Sequence, residues 1–379
     1  MRAPPRSRQA RVAALPGALL VLALLGVRGA AADSSLPDAL AAEAERLERR
    51  LAESPRRLPD HHELAVFIRE LACRLDAERC GALRLHVLRS PEANAFMLPN
   101  GAMAVFTGLM LRTVTEAELA FVIAHEIGHH VERHAEERWG SLHRTGNLLN
   151  LVAFAAGATG EYRAGAIAEL GIVAALFAYS RGQEREADRF AAARMGPAGY
   201  PLAAGASLFA GLLAEERARP PTLPTLFATH PPTRQRVRTL ERLAAETAPP
   251  AAPAPDRGWR ELRRRHLEAW IEDELGRRSR PDTLVLLERL ERAGDPPAPL
   301  RLARADILRR AAKPADLAQA EALIRSVLAE PEPPARAWRL LGQVAKARGD
   351  ARAATEAFRR YLELDPAAPD RKLIEWELQ

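Results

Sequence analysis

The sequence predicts a mainly α chain in two helical parts, the first carrying one small β-hairpin or sheet and the second built as a helical solenoid. Three observations predict this. Of 379 residues, 47% are hydrophobic and only 5% aromatic, an Ala- and Leu-rich balance that favours helices over a β-sandwich. Strand-like alternation is confined to residues 83–110, whereas amphipathic helical patterns fill most of the remainder. The segment TAPPAAPAPD (247–256) is a stiff, extended linker between the two parts. The length allows two or three cores.

The elements follow in order. Four Arg (Arg2, Arg6, Arg8, Arg11) precede the uncharged apolar run 12–27, and Ala30-Ala31-Ala32 offers a small-residue cleavage site. This layout predicts an export signal over residues 1–32, the alternative being an uncleaved N-terminal anchor. Those residues contain five Arg and no acid, so the net charge of +6 falls to 50 basic against 49 acidic residues after cleavage. A balance of +1 gives no basis for nucleic-acid binding. Amphipathic helices are expected over 39–51 and 63–75. If LACRLDAERC (71–80) is one helix, Cys73 and Cys80 lie about 10 Å apart along its axis, too far for a bridge. A disulfide requires a break, near Glu78 or Arg79, and the pairing stays open.

LRLHVL (83–88) alternates as a strand. Pro99-Asn100-Gly101 is a turn between short apolar runs, which predicts AFML pairing with MAVFT. Thr115 stands three residues before Glu118 in a capping-box pattern, and the helix it starts is expected to run to about Glu137. Residues 147–178 are apolar, but neither half is long enough to span a bilayer, so core helices are expected. Residues 180–195 form a further helix, and helical segments continue to about 245 and again beyond the linker.

The stretch AHEIGHHVERHAEE (124–137) holds four of the ten His. Only one register reads His-Glu-x-x-His: His125, Glu126 and His129. On a helix the two imidazoles share a face and reach one ion, and Glu126, beside them, is placed to act on a water as general base. Zinc lowers the pKa of such a water to about 7. His130 and His134 form a second i, i+4 pair without the Glu and are read as polar residues on the helix surface. Gly128 leaves room for a neighbouring helix. Two His do not complete a catalytic zinc site. No third His follows at metzincin spacing, so a carboxylate from another helix is expected. Glu184 and Asp188 share a face of the 180–195 helix, while Glu186 points elsewhere. Glu184 is therefore the expected third ligand, and Asp188 the residue that holds a ligand His or assists the reaction.

NAFMLPNG (94–101), VFTGLM (105–110), HEIGHH (125–130), SRGQEREADR (180–189) and THPPTRQRV (229–237) occur in that order. Over about residues 60–245 the chain resembles the zinc metallopeptidase family of HtpX and the CAAX prenyl proteases. The resemblance implies a gluzincin-type metallopeptidase domain over 33–246 that uses one Zn²⁺. It also implies that Glu184, of an E-x-x-x-D pattern, is the third ligand and Asp188 a functional residue, and that Arg236 shapes the cleft. HtpX and the prenyl proteases have several membrane spans. With none convincing after the N-terminal segment, this chain is more similar to the soluble, exported branch that includes the periplasmic β-barrel assembly-enhancing proteases. There the His matching His230 approaches the metal's open position, which makes His230 a candidate gate or fourth ligand, against a loop-capping role.

That branch carries C-terminal tetratricopeptide repeats. Trp338, Leu341 and Gly342 fit the W-x-x-L-G spacing, and Ala345, Gly349, Ala354, Phe358, Tyr361 and Pro366 follow as the repeat requires. Ile307, Ala320 and Ile324 form a weaker copy one period earlier. Residues 257–379 are thus expected to be a tetratricopeptide-repeat-like domain. The expected whole is a periplasmic zinc endopeptidase acting on misfolded or stalled envelope proteins. Its repeats would recruit substrates or the outer-membrane assembly machinery, with membrane contact at most peripheral. The rival expectation is a periplasmic chaperone or scaffold with a latent metal site.

Overall fold

The computed structural model describes residues 36–144, 179–220, 230–247, 257–277 and 281–378. The expected export signal, the apolar run 147–178 and nearly all of the linker lie outside the described residues. Helix α1 spans Leu36–Glu53 and α2 Glu63–Leu75, the latter capped by the His62 ring, which accepts from the Leu64 amide. The helix expected through Cys80 breaks at Asp76, whose amide closes α2 on Ala72 and whose side chain takes a 2.8 Å bond from Arg79. A new short helix α3, Ala77–Cys80, follows. The break falls earlier than Glu78 and brings the Cα atoms of Cys73 and Cys80 to 4.7 Å, and the two are disulfide-bonded.

Three strands, β1 (Arg84–Leu88), β2 (Ala95–Met97) and β3 (Ala102–Phe106), form a sheet in the order β1-β3-β2. The expected hairpin is present, with Phe96 opposite Ala104, and β1 joins it in parallel, with Val87 opposite Val105. Residues 56–58 run along the outer side of β1 through Leu58 N–H to Val87 O and Arg89 N–H to Arg56 O, both 2.8 Å. No strand among the described residues pairs with the outer edge of β2.

Helix α4 (Thr107–Arg112) continues from β3, and α5 spans Glu116–Val131. Thr115 caps α5 on the Glu118 amide, while the Glu118 carboxylate reaches back to the Val114 amide at 2.7 Å. α5 stops at Val131, six residues short of the expected Glu137. Arg133 takes a positive φ of 57°, which ends the helical path, and α6 (His134–Arg144) starts in a new direction. α7 (Arg181–Met195) begins with a complete capping box between Ser180 and Gln183. It lies across α5 at Gly128, where a Cβ would stand 3.1 Å from the Phe190 Cβ and 3.2 Å from the Ala187 Cα. α8 (Ala203–Ala218) and α9 (Arg234–Glu246) complete the first part.

Beyond the linker the chain is helical throughout the described residues: α10 (Arg257–Gly276), α11 (Pro281–Arg292), α12 (Pro297–Ala311), α13 (Pro314–Leu328), α14 (Ala335–Ala347), α15 (Ala351–Leu364) and α16 (Arg371–Glu377). α12 packs on α13 and α14 on α15. In the latter pair Gly342 is required, because a Cβ there would lie 2.5 Å from the Phe358 ring. The core does not stop at the linker. Trp259, Trp270 and Leu286 share one apolar cluster with Leu64, Leu109 and Phe121. Polar groups tie the same surfaces. The last carbonyls of α4 have no partner within their own short helix. Instead, Arg263 donates to the carbonyls of Met110, Leu111 and Thr113, Trp259 Nε1 donates to Thr113 O at 2.8 Å, and Arg289 donates to Arg112 O at 2.8 Å. Among the described residues no helix is long and apolar enough to cross a membrane.

Candidate metal centre

Helix α5 presents His125 and His129 one turn apart with their Nε2 atoms 3.0 Å from each other. α7 brings Glu184 against them: its Oε1 is 3.6 Å from His129 Nε2 and its Oε2 3.5 Å from His125 Nε2. The close crossing at Gly128 makes this approach possible. His230, just ahead of α9, enters the same cluster, its Nδ1 lying 2.9 Å from Glu184 Oε1 and 3.4 Å from His125 Nε2. One donor atom from each of these four buried side chains lies within 4.8 Å of all the others.

This arrangement fits a metal ion. Tetrahedral zinc with bonds near 2.0–2.1 Å holds its ligand atoms about 3.3 Å apart, and the measured separations scatter around that value. Three imidazole nitrogens and one carboxylate oxygen are a zinc donor set. His129 is held well below its ordinary pKa by burial and by His125 and His230, which favours the neutral imidazole that binds metal. Burial pushes Glu184 up, but His230 and Arg236 more than offset it and keep the carboxyl well below its usual range.

Glu126 faces this cluster from α5, with Oε1 3.4 Å from His230 Nε2. It is 1% exposed, and neither carboxylate oxygen accepts a hydrogen bond among the described residues. Burial raises its pKa, as it would for a base kept out of bulk water. Asp188, one turn beyond Glu184, places Oδ1 3.1 Å from His125 Nδ1. Arg236 grips it with two bonds, 2.7 and 3.0 Å, and reaches Glu184 Oε2 at 2.6 Å. The Thr233 hydroxyl caps the first turn of α9 on the Arg236 amide, and the guanidinium lies 4.1 Å over the Phe209 ring. Arg236 thus binds both α7 carboxylates at once.

All seven residues singled out from sequence meet here: His125, Glu126, His129, Glu184, Asp188, His230 and Arg236. Two further residues join them that sequence reasoning did not place. His134, read as a surface residue, is 1% exposed, with Nδ1 2.9 Å from His129 Nδ1 and Nε2 3.0 Å from Glu186 Oε2. Glu186, expected to point elsewhere, is therefore connected to the cluster. The HVERH spacing carries the signal only if the helix breaks after Val131, as it does at Arg133. Tyr179 stacks on the His129 ring with centroids 4.0 Å apart; the sequence marks it only by its place before the Ser180 cap.

Comparison with known proteins agrees with this geometry. Peptidase family M48 matches residues 60–244. Mitochondrial metalloendopeptidase OMA1 of Schizosaccharomyces pombe is 30% identical over 194 residues, covering 50% of this chain and 56% of that protein. A putative beta-barrel assembly-enhancing protease of Vibrio cholerae is 33% identical over 180 residues, covering 45% of this chain and 36% of that protein. A protease HtpX homolog of Acidiphilium cryptum is 32% identical over 201 residues, covering 42% of this chain and 68% of that protein. The chain spans 56% of the length of the first of these and 36% of the second. With the motif residues gathered at one buried centre and the family match spanning all of them, the chain belongs to peptidase family M48.

Proposed function

We propose that the protein is an exported zinc-dependent endopeptidase that acts on misfolded or stalled envelope proteins. The observation that carries this reading is the buried four-donor cluster with the Glu126 carboxylate beside it, which accepts no hydrogen bond among the described residues. In the proposal His125, His129 and Glu184 hold the ion. Zinc held there would supply an acidified water and polarise the scissile carbonyl. Glu126 takes the proton of the attacking water and returns it to the leaving amine. Asp188 fixes the tautomer of His125 through Nδ1, and Arg236 holds Asp188 and Glu184 in place.

The envelope setting rests on the layout of residues 1–32 and on the likeness to the Vibrio cholerae protein. In this proposal residues 33–246 form the metallopeptidase domain, and residues 257–379 form a tetratricopeptide-like array that recruits substrates or an outer-membrane assembly partner. Purified protein, incubated with an unfolded outer-membrane protein, tests the reading. Glu126→Gln should keep its metal and lose cleavage; full cleavage by that variant would remove the proposal.

The position of His230 favours a second reading, a chaperone or scaffold with a gated site. Its Nδ1 sits among the donors, and as a fourth ligand it would take the position a water needs. If the wild-type protein prevents aggregation of the same client without cleaving it, and His230→Ala releases cleavage, the second reading stands.

A further inference from the structure

We propose that His134 and Glu186 are positioning residues, a two-step relay that fixes the tautomer and orientation of His129 toward the metal. This rests on the metal-site reading above.

The backbone shows how the relay is built. On a continuous α-helix, residue 134 would lie about 140° around the axis from residue 129 and could not face it. The helix ends at Val131, and Arg133 adopts φ 57°. That turn sends the chain back, and His134, as the first residue of α6, places Nδ1 2.9 Å from His129 Nδ1. The left-handed conformation costs a non-glycine residue of order 1 kcal/mol, and here it serves to redirect one side chain.

The hydrogen-bond logic then runs in one direction. A neutral imidazole has one N–H and one acceptor nitrogen. His129 Nε2 faces the other donors, 3.0 Å from His125 Nε2 and 3.6 Å from Glu184 Oε1. With its lone pair there, the proton is on Nδ1 and is donated to His134 Nδ1. His134 must then carry its own proton on Nε2, where Glu186 Oε2 accepts it at 3.0 Å. Each bond forces the next, so a carboxylate on α7 sets the ligand tautomer through an intervening ring. The two α5 ligands are therefore supported differently. His125 meets the Asp188 carboxylate directly, at 3.1 Å, while His129 meets Glu186 only through His134. The outer end of the relay is near water: the Glu186 side chain is 45% exposed, against 1% for His134.

The test is zinc affinity, measured by competition with a chromophoric chelator, together with the visible spectrum of the Co²⁺-loaded protein. His134→Leu removes the acceptor and should weaken zinc binding about 10- to 100-fold. His134→Asn, whose amide oxygen stands near the Nδ1 position, should restore most of that loss. Glu186→Ala should weaken binding in the same direction, and Glu186→Gln, which keeps an acceptor, should recover it. Wild-type affinity and an unchanged Co²⁺ spectrum in folded His134→Leu would overturn the relay, as would an Asn variant no better than Leu. If His134→Leu does not fold, the half-exposed Glu186 pair decides, and equal affinities of Glu186→Ala and Glu186→Gln overturn the proposal. Zinc-free wild-type protein would overturn the parent reading and this one with it. Equal affinities among variants that all bind zinc would overturn the relay alone.

Discussion

Replacing Arg112 by Met should unfold more than one end of the molecule. Arg112 is fully buried at the end of α4. Its Nε donates to Glu215 of α8 at 2.7 Å, and an Nη lies 3.0 Å from Glu274 of α10, on the far side of the linker. Both carboxylates are at most 1% exposed. Burial pushes Glu215 up in spite of Arg112, whereas Glu274, also reached by Arg277, is held below its ordinary value. One cation thus serves two buried anions. Removing it leaves both without their main counter-charge, and breaking a buried ion pair in this way costs about 3–5 kcal/mol. Met fills most of the volume, so the loss is electrostatic rather than a cavity. The companion Arg112→Met/Glu215→Gln/Glu274→Gln should regain most of the loss, because neither buried carboxylate is left without its cation. Urea unfolding followed by Trp fluorescence and by amide exchange of α10 reads both sides together. The account requires one shared transition, lowered in the single variant and restored in the triple. A single variant that loosens residues 257–378 while leaving the remainder at wild-type stability would refute it.

Other predictions follow from the same contacts. His230→Ala should raise cleavage of an unfolded substrate several-fold if the ring gates the ion, read as kcat on a quenched peptide; unchanged kcat excludes gating. Gly128→Val should cost about 1–3 kcal/mol and weaken zinc binding, since its Cβ meets Ala187 and Phe190 and pushes away the helix that carries Glu184; thermal denaturation and zinc competition check both effects. Burial pushes Asp306 up, but bonds from Arg310 and Arg309 more than offset it and hold the carboxyl below its ordinary value. Its stabilisation is therefore present above the unfolded pKa of about 3.9 and is lost as pH falls through the lowered folded value. Asp306→Asn should cost about 1 kcal/mol at pH 7, a difference that shrinks in urea titrations as pH falls through the lowered folded value.

Much of the site was legible in sequence because helix geometry is local. His125, Glu126 and His129 follow from one turn of helix, and Glu184 and Asp188 from another. The hairpin followed from Pro99-Asn100-Gly101 and the apolar runs beside it. What escaped depended on places where the helix stops. Nothing in HVERH announces a left-handed Arg133, so His134 was read on the wrong face, and Glu186 lost its partner with it. The disulfide was recognised as needing a break, but Asp76 ends α2 two residues before the position expected. The sharing of one core across the linker was also hidden. Only the third dimension brings Trp259 and Arg263 to the carbonyls at the end of α4. The ion pairs of Arg236 were hidden as well, because its two carboxylate partners lie 48 and 52 positions earlier in the chain.

Zinc content of the purified chain, measured by mass spectrometry after gel filtration for the wild type and for Glu184→Gln, tests the metal centre most directly. The account predicts about one zinc per wild-type chain, held by two His of α5 and a carboxylate of α7, and a content far below one in the variant. A wild-type chain without zinc, or a Glu184→Gln chain that keeps its zinc in full, would contradict it.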